Sequence, residues 1–253
     1  MLLEIKGLTK YFGGLSAVKD FHMSVRQGEI VGLIGPNGAG KTTVFNLITG
    51  ILQPDSGTIT FEGKDITAKR PHEVAALGIA RTFQLTPLFP FFTVLENVTA
   101  CFHLHPRSGL LDTFFNTKKY RLNEARIRED ALGILRMLGL ERFKDEFAVN
   151  LPHGFQKLLG MARAMAVRPK LMLLDEPTSG MNWEEISNAL SIIRKMRDGG
   201  LTIVLVEHNM EVIDICDRVV AMNFGQKIAE GTVQEIRENK EVVEAYLGGA
   251  HVA

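Results

Sequence analysis

The stretch Gly35-Pro36-Asn37-Gly38-Ala39-Gly40-Lys41-Thr42-Thr43 decides how the rest of the chain is read. It fits the pattern of a glycine, four residues, then Gly-Lys-Ser/Thr, and it follows an apolar, β-branched run, Ile30 to Ile34, with the length of a buried strand. Gly35, Gly38 and Gly40 let the backbone curl so that successive N–H groups point inward at an anion. Lys41 adds a positive charge for the β- and γ-phosphates of a nucleotide. The residues Thr42 to Thr49 predict a helix whose positive end faces the same phosphates, with the Thr42 hydroxyl placed for Mg²⁺ and Thr43 for an α-phosphate. Every residue from Gly35 to Thr43 is therefore a candidate nucleotide contact.

The chain has 253 residues, 45% of them hydrophobic, enough for one large domain or a core domain carrying a smaller lobe. Its 29 Lys plus Arg balance 29 Asp plus Glu, whereas a nucleic-acid binder shows a basic excess. Cys101 and Cys216 form no Cys-x-x-Cys pair, which suits a reducing, cytoplasmic setting better than a disulfide scaffold. Glu4 interrupts the short apolar run at Met1 to Lys6, so no signal peptide is expected there. No apolar stretch approaches the roughly 20 residues that cross a bilayer, and a membrane role would be peripheral.

Around the loop, Leu2 to Lys6 and Phe21 to Val25 alternate apolar and polar residues, as in a sheet solvated on one face. Pro54 to Gly57 turns into a strand over Thr58 to Phe61, Pro71 opens a short helix, and Ile79 to Phe83 is an apolar strand ending at Gln84. From Leu85 to Val167 prolines, clustered phenylalanines and helical periodicity predict an inserted helical lobe, with helices over Glu124 to Met137 and Gly154 to Val167. The remainder, 1–84 and 168–253, is expected to form the core. Leu171 to Asp175 reads as a fully buried parallel strand, Trp183 to Met196 as a helix, Thr202 to Val206 as a strand, Met210 to Ile215 as a short helix, and Val233 to Leu247 as a helical tail.

A phosphate loop alone says only that a nucleotide binds. Asp175 ends an apolar strand, where a carboxylate for Mg²⁺ belongs, and Glu176 beside it is placed to polarise water at the γ-phosphate. His208 and Gln84 also sit at strand ends, the edge at which doubly wound sheets bind ligands.

With these pieces in this order the chain resembles the nucleotide-binding subunit of ATP-binding-cassette transporters over essentially its whole length. The resemblance implies an α/β fold: a P-loop NTPase core of mixed sheet, flanking helices and an antiparallel β subdomain, plus a helical subdomain. It implies an ATPase using ATP and Mg²⁺, in which Phe12, rather than Tyr11, stacks on adenine. Gln84 would touch Mg²⁺ or water, Glu176 would be the general base, and His208 would hold the γ-phosphate. The family signature, Leu-Ser-Gly-Gly-Gln, stands here as Leu151-Pro152-His153-Gly154-Phe155, followed by Gln156, and would face the nucleotide of a partner cassette. Pro152 has neither hydroxyl nor N–H, so the usual serine contact is missing. A following loop that usually ends in aspartate reads Ser179-Gly180-Met181-Asn182.

Asn182, Arg81-Thr82-Phe83-Gln84, the proline in the signature and the tail Ala245-Tyr246-Leu247-Gly248 resemble the larger ATPase of branched-chain amino-acid importers, whose relatives handle urea or aromatic acids. The expected partners are a second ATPase subunit, self or paralogue, two transmembrane permeases at the cytoplasmic face of a membrane, and indirectly a solute-binding protein. The run Pro87 to Phe92 is expected to offer an apolar groove to a membrane partner. Two other classes share the loop. A soluble cassette ATPase usually carries long coiled-coil insertions or two cassettes, and a small-molecule kinase would lack Gln84 and His208; one cassette with a modest lobe favours transport.

Overall fold

Two sheets build the first of two compact units, composed of Met1–Arg81, Lys170–Pro177 and Ile193–Ala253, in a computed structural model that describes residues 1–83, 87–102 and 117–248. Its strands are β1 (Leu3–Phe12), β2 (Leu15–Val25), β3 (Ile30–Ile34), β4 (Ser56–Phe61), β5 (Lys64–Asp65), β6 (Ile79–Arg81), β7 (Leu171–Asp175), β8 (Thr202–Glu207), β9 (Arg218–Asn223) and β10 (Gln226–Gly231). The helices of the described residues are α1 (Lys41–Ile48), α2 (Pro71–Ala76), α3 (Val94–Phe102), α4 (Lys118–Met137), α5 (His153–Ala166), α6 (Trp183–Asp198), α7 (Val233–Glu238) and α8 (Lys240–Gly248).

The antiparallel sheet runs β2-β1-β4-β5 and the mixed sheet β10-β9-β3-β8-β7-β6. In the latter β9, β3, β8, β7 and β6 are parallel, and only β10 returns antiparallel along β9. Every residue of β3, β7 and β8 is buried, which is why these strands read as unbroken apolar runs rather than alternations. Parallel register then delivers the strand ends to one edge: Ile34 pairs with Glu207 and Asp175 with Val206. Phe21, Phe45, Phe61, Leu47 and Ile59 fill the core beneath that edge.

The second unit comprises Thr82–Pro169 and Thr178–Ile192. Helices α3, α4 and α5 pack on one another around Val98, Leu135 and Leu158. Thr117 caps α4 by accepting from the Tyr120 N–H at 3.2 Å, so this helix starts six residues before the periodic stretch that begins at Glu124. The segment Thr178–Ile192, expected with the core, clusters with these helices instead, and its opening turn is bonded to α5 through Ser179 and Lys157. Two smaller differences concern the helices near the end of the chain. The short helix expected over Met210 to Ile215 is a single 3₁₀ segment, Val212–Ile215, and the tail breaks at Asn239 into α7 and α8.

Candidate functional site

In the first unit, β3 runs into the loop and α1 leaves it. Gly40 caps α1 at φ 104°, no side chain caps the helix, and its first turn carries no acid. The leading N–H groups and the positive end of the dipole are thus left to an anion. Two glycines are dictated by close approach: a Cβ on Gly40 would lie 2.4 Å from the Ala17 carbonyl oxygen, and one on Gly35 would lie 2.2 Å from that of Met222. Gly225 N–H donates to Ala39 O at 3.0 Å and pins the loop to the β9–β10 turn.

Lys41 is 6% exposed, and its Nζ donates to Gly35 O at 2.7 Å and Pro36 O at 2.9 Å. Burial lowers its pKa, opposed by the charges of Glu176, Asp175 and Glu207. The ammonium therefore lies in a field of acids drawn from the ends of β7 and β8. Thr42 is exposed and Thr43 half-buried.

Asp175 ends β7 in a buried ion pair, its Oδ2 accepting from Arg81 Nη2 at 2.8 Å with both side chains less than a tenth exposed. Arg81 also donates to Asn46 Oδ1 of α1 at 2.6 Å and lies over the Phe45 ring, locking the loop helix to two strand ends. Glu176 takes φ 46°, a conformation that costs energy for a residue with a side chain. Its N–H donates to Val206 O at 3.0 Å, beside the Asp175–Val206 pair of the ladder. The His208 ring, half exposed, places Nδ1 3.7 Å from Glu176 Oε1, beyond hydrogen-bond length. Glu207 is buried at the end of β8. Gln84 lies outside the described residues.

Phe12 stands at the outer end of β1 and is 48% exposed, so it is not a core residue. Asp55 braces that end, accepting from Tyr11 N–H at 2.6 Å and Lys10 Nζ at 3.0 Å, and these bonds, led by the Tyr11 amide, hold its carboxyl below the usual range. In the tail, burial pushes the Tyr246 hydroxyl up against a smaller opposing effect of the Gly35 amide; the oxygen lies buried near that amide without a hydrogen bond of full geometry.

In the second unit, Leu151 is buried, Pro152 caps α5 without a side-chain bond, and His153 and Gly154 form the first turn. Gln156 Nε2 donates back to Leu151 O at 2.9 Å. Phe155 turns into the unit, 4.8 Å from the Phe143 ring and under Arg142. Asn182 caps α6 reciprocally with Glu185, at 2.9 and 3.0 Å, so the asparagine found in place of aspartate performs a helix cap. Among the described residues no group of three or more His, Cys, Asp or Glu side chains is placed to hold a metal by itself.

Arg81, Glu207 and Asn182 owe their parts to geometry. Arg81 and Glu207 close apolar strands, as Asp175 does, and that position is the one signal that marks them in the sequence.

A lysine in an anion-receiving loop, ringed by acids from neighbouring parallel strands, defines a phosphate-loop nucleotide-binding protein. The model of the ABC transporter family matches residues 18–179, and the chain belongs to that family. A second model, described as the branched-chain amino acid ATP-binding cassette transporter, matches residues 226–252. The chain is 40% identical to the high-affinity branched-chain amino acid transport ATP-binding protein BraF of Pseudomonas aeruginosa, with 98% of each chain covered. It is 39% identical to LivG of Escherichia coli K12 over the same shares. Among solved structures, an ATP-binding cassette of an ABC transporter in its ADP conformation matches with TM-score 0.85 and 35% identity over 98% of both chains. A dimeric bacterial cassette matches with TM-score 0.78 and 26% identity over 91% of this chain and 98% of that one.

Proposed function

We propose that this chain hydrolyses ATP to drive uptake of branched-chain amino acids through a membrane importer. The observation that carries the ATPase part is the buried Lys41 set among Glu176, Asp175 and Glu207 at the mouth of the parallel sheet. The substrate rests on identity to BraF and LivG over nearly the whole chain.

In this reading the amides from Gly35 to Thr43 and the Lys41 ammonium hold the phosphates, Lys41 exchanging the Gly35 and Pro36 carbonyls for phosphate oxygens. Phe12, on the surface and braced by Asp55, offers its face to adenine. Thr42 and Asp175, with Gln84, would hold Mg²⁺, which would supply neutralisation of phosphate charge. The Arg81 guanidinium keeps the Asp175 carboxylate oriented. Glu176 takes a proton from the attacking water, and the strained turn at its backbone aims the carboxylate. His208 donates to the γ-phosphate.

The segment Leu151–Gln156 faces the nucleotide of a second cassette, a copy or a paralogue, through the uncapped start of α5. No helix among the described residues is long and apolar enough to cross a membrane, and we place the chain peripherally at the cytoplasmic face with two permeases and, beyond them, a solute-binding protein. The docking surface is supported by Phe91, 79% exposed, beside the exposed Phe89 and Phe92. Fully buried Asn97 holds the loop that carries them: it accepts from Phe89 N–H and donates to the carbonyls of Phe89, Phe92 and Thr93.

The test is uptake of labelled leucine by cells lacking this chain. The wild type is expected to restore it and Glu176→Gln to fail; uptake unchanged by the deletion would overturn the transport reading.

A further inference from the structure

We propose that Lys157 is a positioning residue: through Ser179 it ties the turn Thr178–Asn182 to helix α5, so that this turn and the segment Leu151–Gln156 move as one piece during turnover. The proposal rests on the ATPase reading above and adds to it a coupling residue outside the nucleotide-contacting set.

Lys157 sits one helical turn into α5 and is 6% exposed; its Nζ donates to Ser179 Oγ at 2.5 Å. Burying an ammonium costs several kcal/mol, so a lysine is a poor filler for a core position. A charge-assisted bond to a hydroxyl is about twice as strong as a neutral one, and it fixes a distance. The same junction brings two side chains close to glycines. The His153 ring lies 3.2 Å from where a Cβ on Gly180 would be, and the Glu185 carboxylate 2.8 Å from where one on Gly154 would be.

Between the two segments, however, packing is incomplete. A half-open pocket of about 190 Å³ is lined by Phe155 and Leu158 of α5 and by Met181 and Asn188. Beside that opening the Lys157–Ser179 bond is a direct polar link between the two segments. The far end of the turn is fixed independently by the Asn182–Glu185 cap. The turn is thereby held at both ends, one of them by α5.

In the ATPase reading Leu151–Gln156 meets the nucleotide of a second cassette, while Thr178 lies two residues beyond Glu176 in the chain. A stiff tie between the two segments carries displacement from one to the other. Loosening it should slow the chemical cycle without changing how nucleotide binds at Lys41.

The test compares the full-length wild type with Ser179→Ala, Lys157→Met and the double variant, measuring MgATP turnover and equilibrium ATP binding. Each single variant is expected to lower kcat roughly ten-fold, the size of one lost charge-assisted bond, with ATP Kd within about two-fold of wild type. The double variant should be no slower than the slower single, since both remove the same tie. A wild-type kcat in Ser179→Ala, or losses that multiply in the double, would overturn the proposal. Ser179→Ala deletes one half-buried hydroxyl and decides the matter even if Lys157→Met fails to fold. Trp183, the only tryptophan and 62% exposed, directly follows the turn. Its emission should change with MgATP in wild type and in Glu176→Gln, and not in Ser179→Ala. Turnover in wild type with no effect of these variants sinks this proposal alone; no turnover in wild type sinks the ATPase reading and the proposal with it.

Discussion

The phosphate loop and the segment Leu151–Gln156 both open a helix whose N-terminus has no side-chain cap and no acid in its first turn. They share an uncapped start, and what differs is the company each keeps. Lys41 has the acids of β7 and β8 around it and two carbonyls to release. Beyond its backbone, the α5 start offers a proline, a histidine packed on Gly180 and a phenylalanine turned onto Phe143. In the proposed function one region carries the chemistry with its own groups, and the other would contribute dipole and backbone to the site of a second cassette.

The strongest test of that contrast removes the base. Glu176→Gln keeps shape and burial but cannot accept a proton, so turnover should fall by about 10² to 10⁴ while ATP binding persists, measured as phosphate release against equilibrium binding. Near-normal turnover would move the chemistry away from the strand edge and erase the distinction between the regions.

The scaffold under the same edge comes next. Arg81→Met leaves the Asp175 carboxylate in its buried place without its guanidinium, a change that typically costs about 3–5 kcal/mol. The denaturant midpoint should drop accordingly, and an unchanged midpoint would show that the pair is not needed to hold Asp175. Smaller again, Lys41→Ala should weaken ATP roughly ten- to hundred-fold, the loss of charge-assisted bonds to phosphate. Because its side chain is buried against its own loop, the variant should melt at a temperature within a few degrees of wild type; a large drop would mean that the lysine serves the fold more than the ligand.

How much of this was legible beforehand follows the range of each signal. The loop, the buried strands and the acids at their ends are local: a run such as Leu171 to Leu174 followed by Asp175 and Glu176 states both the strand and its edge. The Arg81–Asp175 pair spans 94 positions, and nothing in either neighbourhood announces the other. The membership of Thr178–Ile192 in the second unit was hidden for the same reason, since it depends on proximity to residues distant in the chain rather than on the composition of the turn. Asn182 was visible as a departure from the family pattern, but its sense as a cap required knowing that α6 begins at Trp183. Phe12 could be read as core or surface until its 48% exposure placed it outside the core.

The smallest expected effect sharpens the comparison most. Pro152 occupies the cap position of α5 with φ −53° and ψ 150°, an extended conformation that serine adopts without strain. Serine there would supply a hydroxyl able to accept from the first-turn amides or to meet a phosphate, and caps of this kind contribute about 1 kcal/mol. It would also regain an N–H and lose the rigidity of the ring, a cost below that gain. If the segment limits turnover because it lacks a donor, Pro152→Ser should raise kcat two- to five-fold with ATP Kd at the Lys41 site unchanged. If kcat stays the same and only the melting temperature rises, the hydroxyl is serving as a cap, and the backbone and dipole of α5 already supply what the partner nucleotide needs.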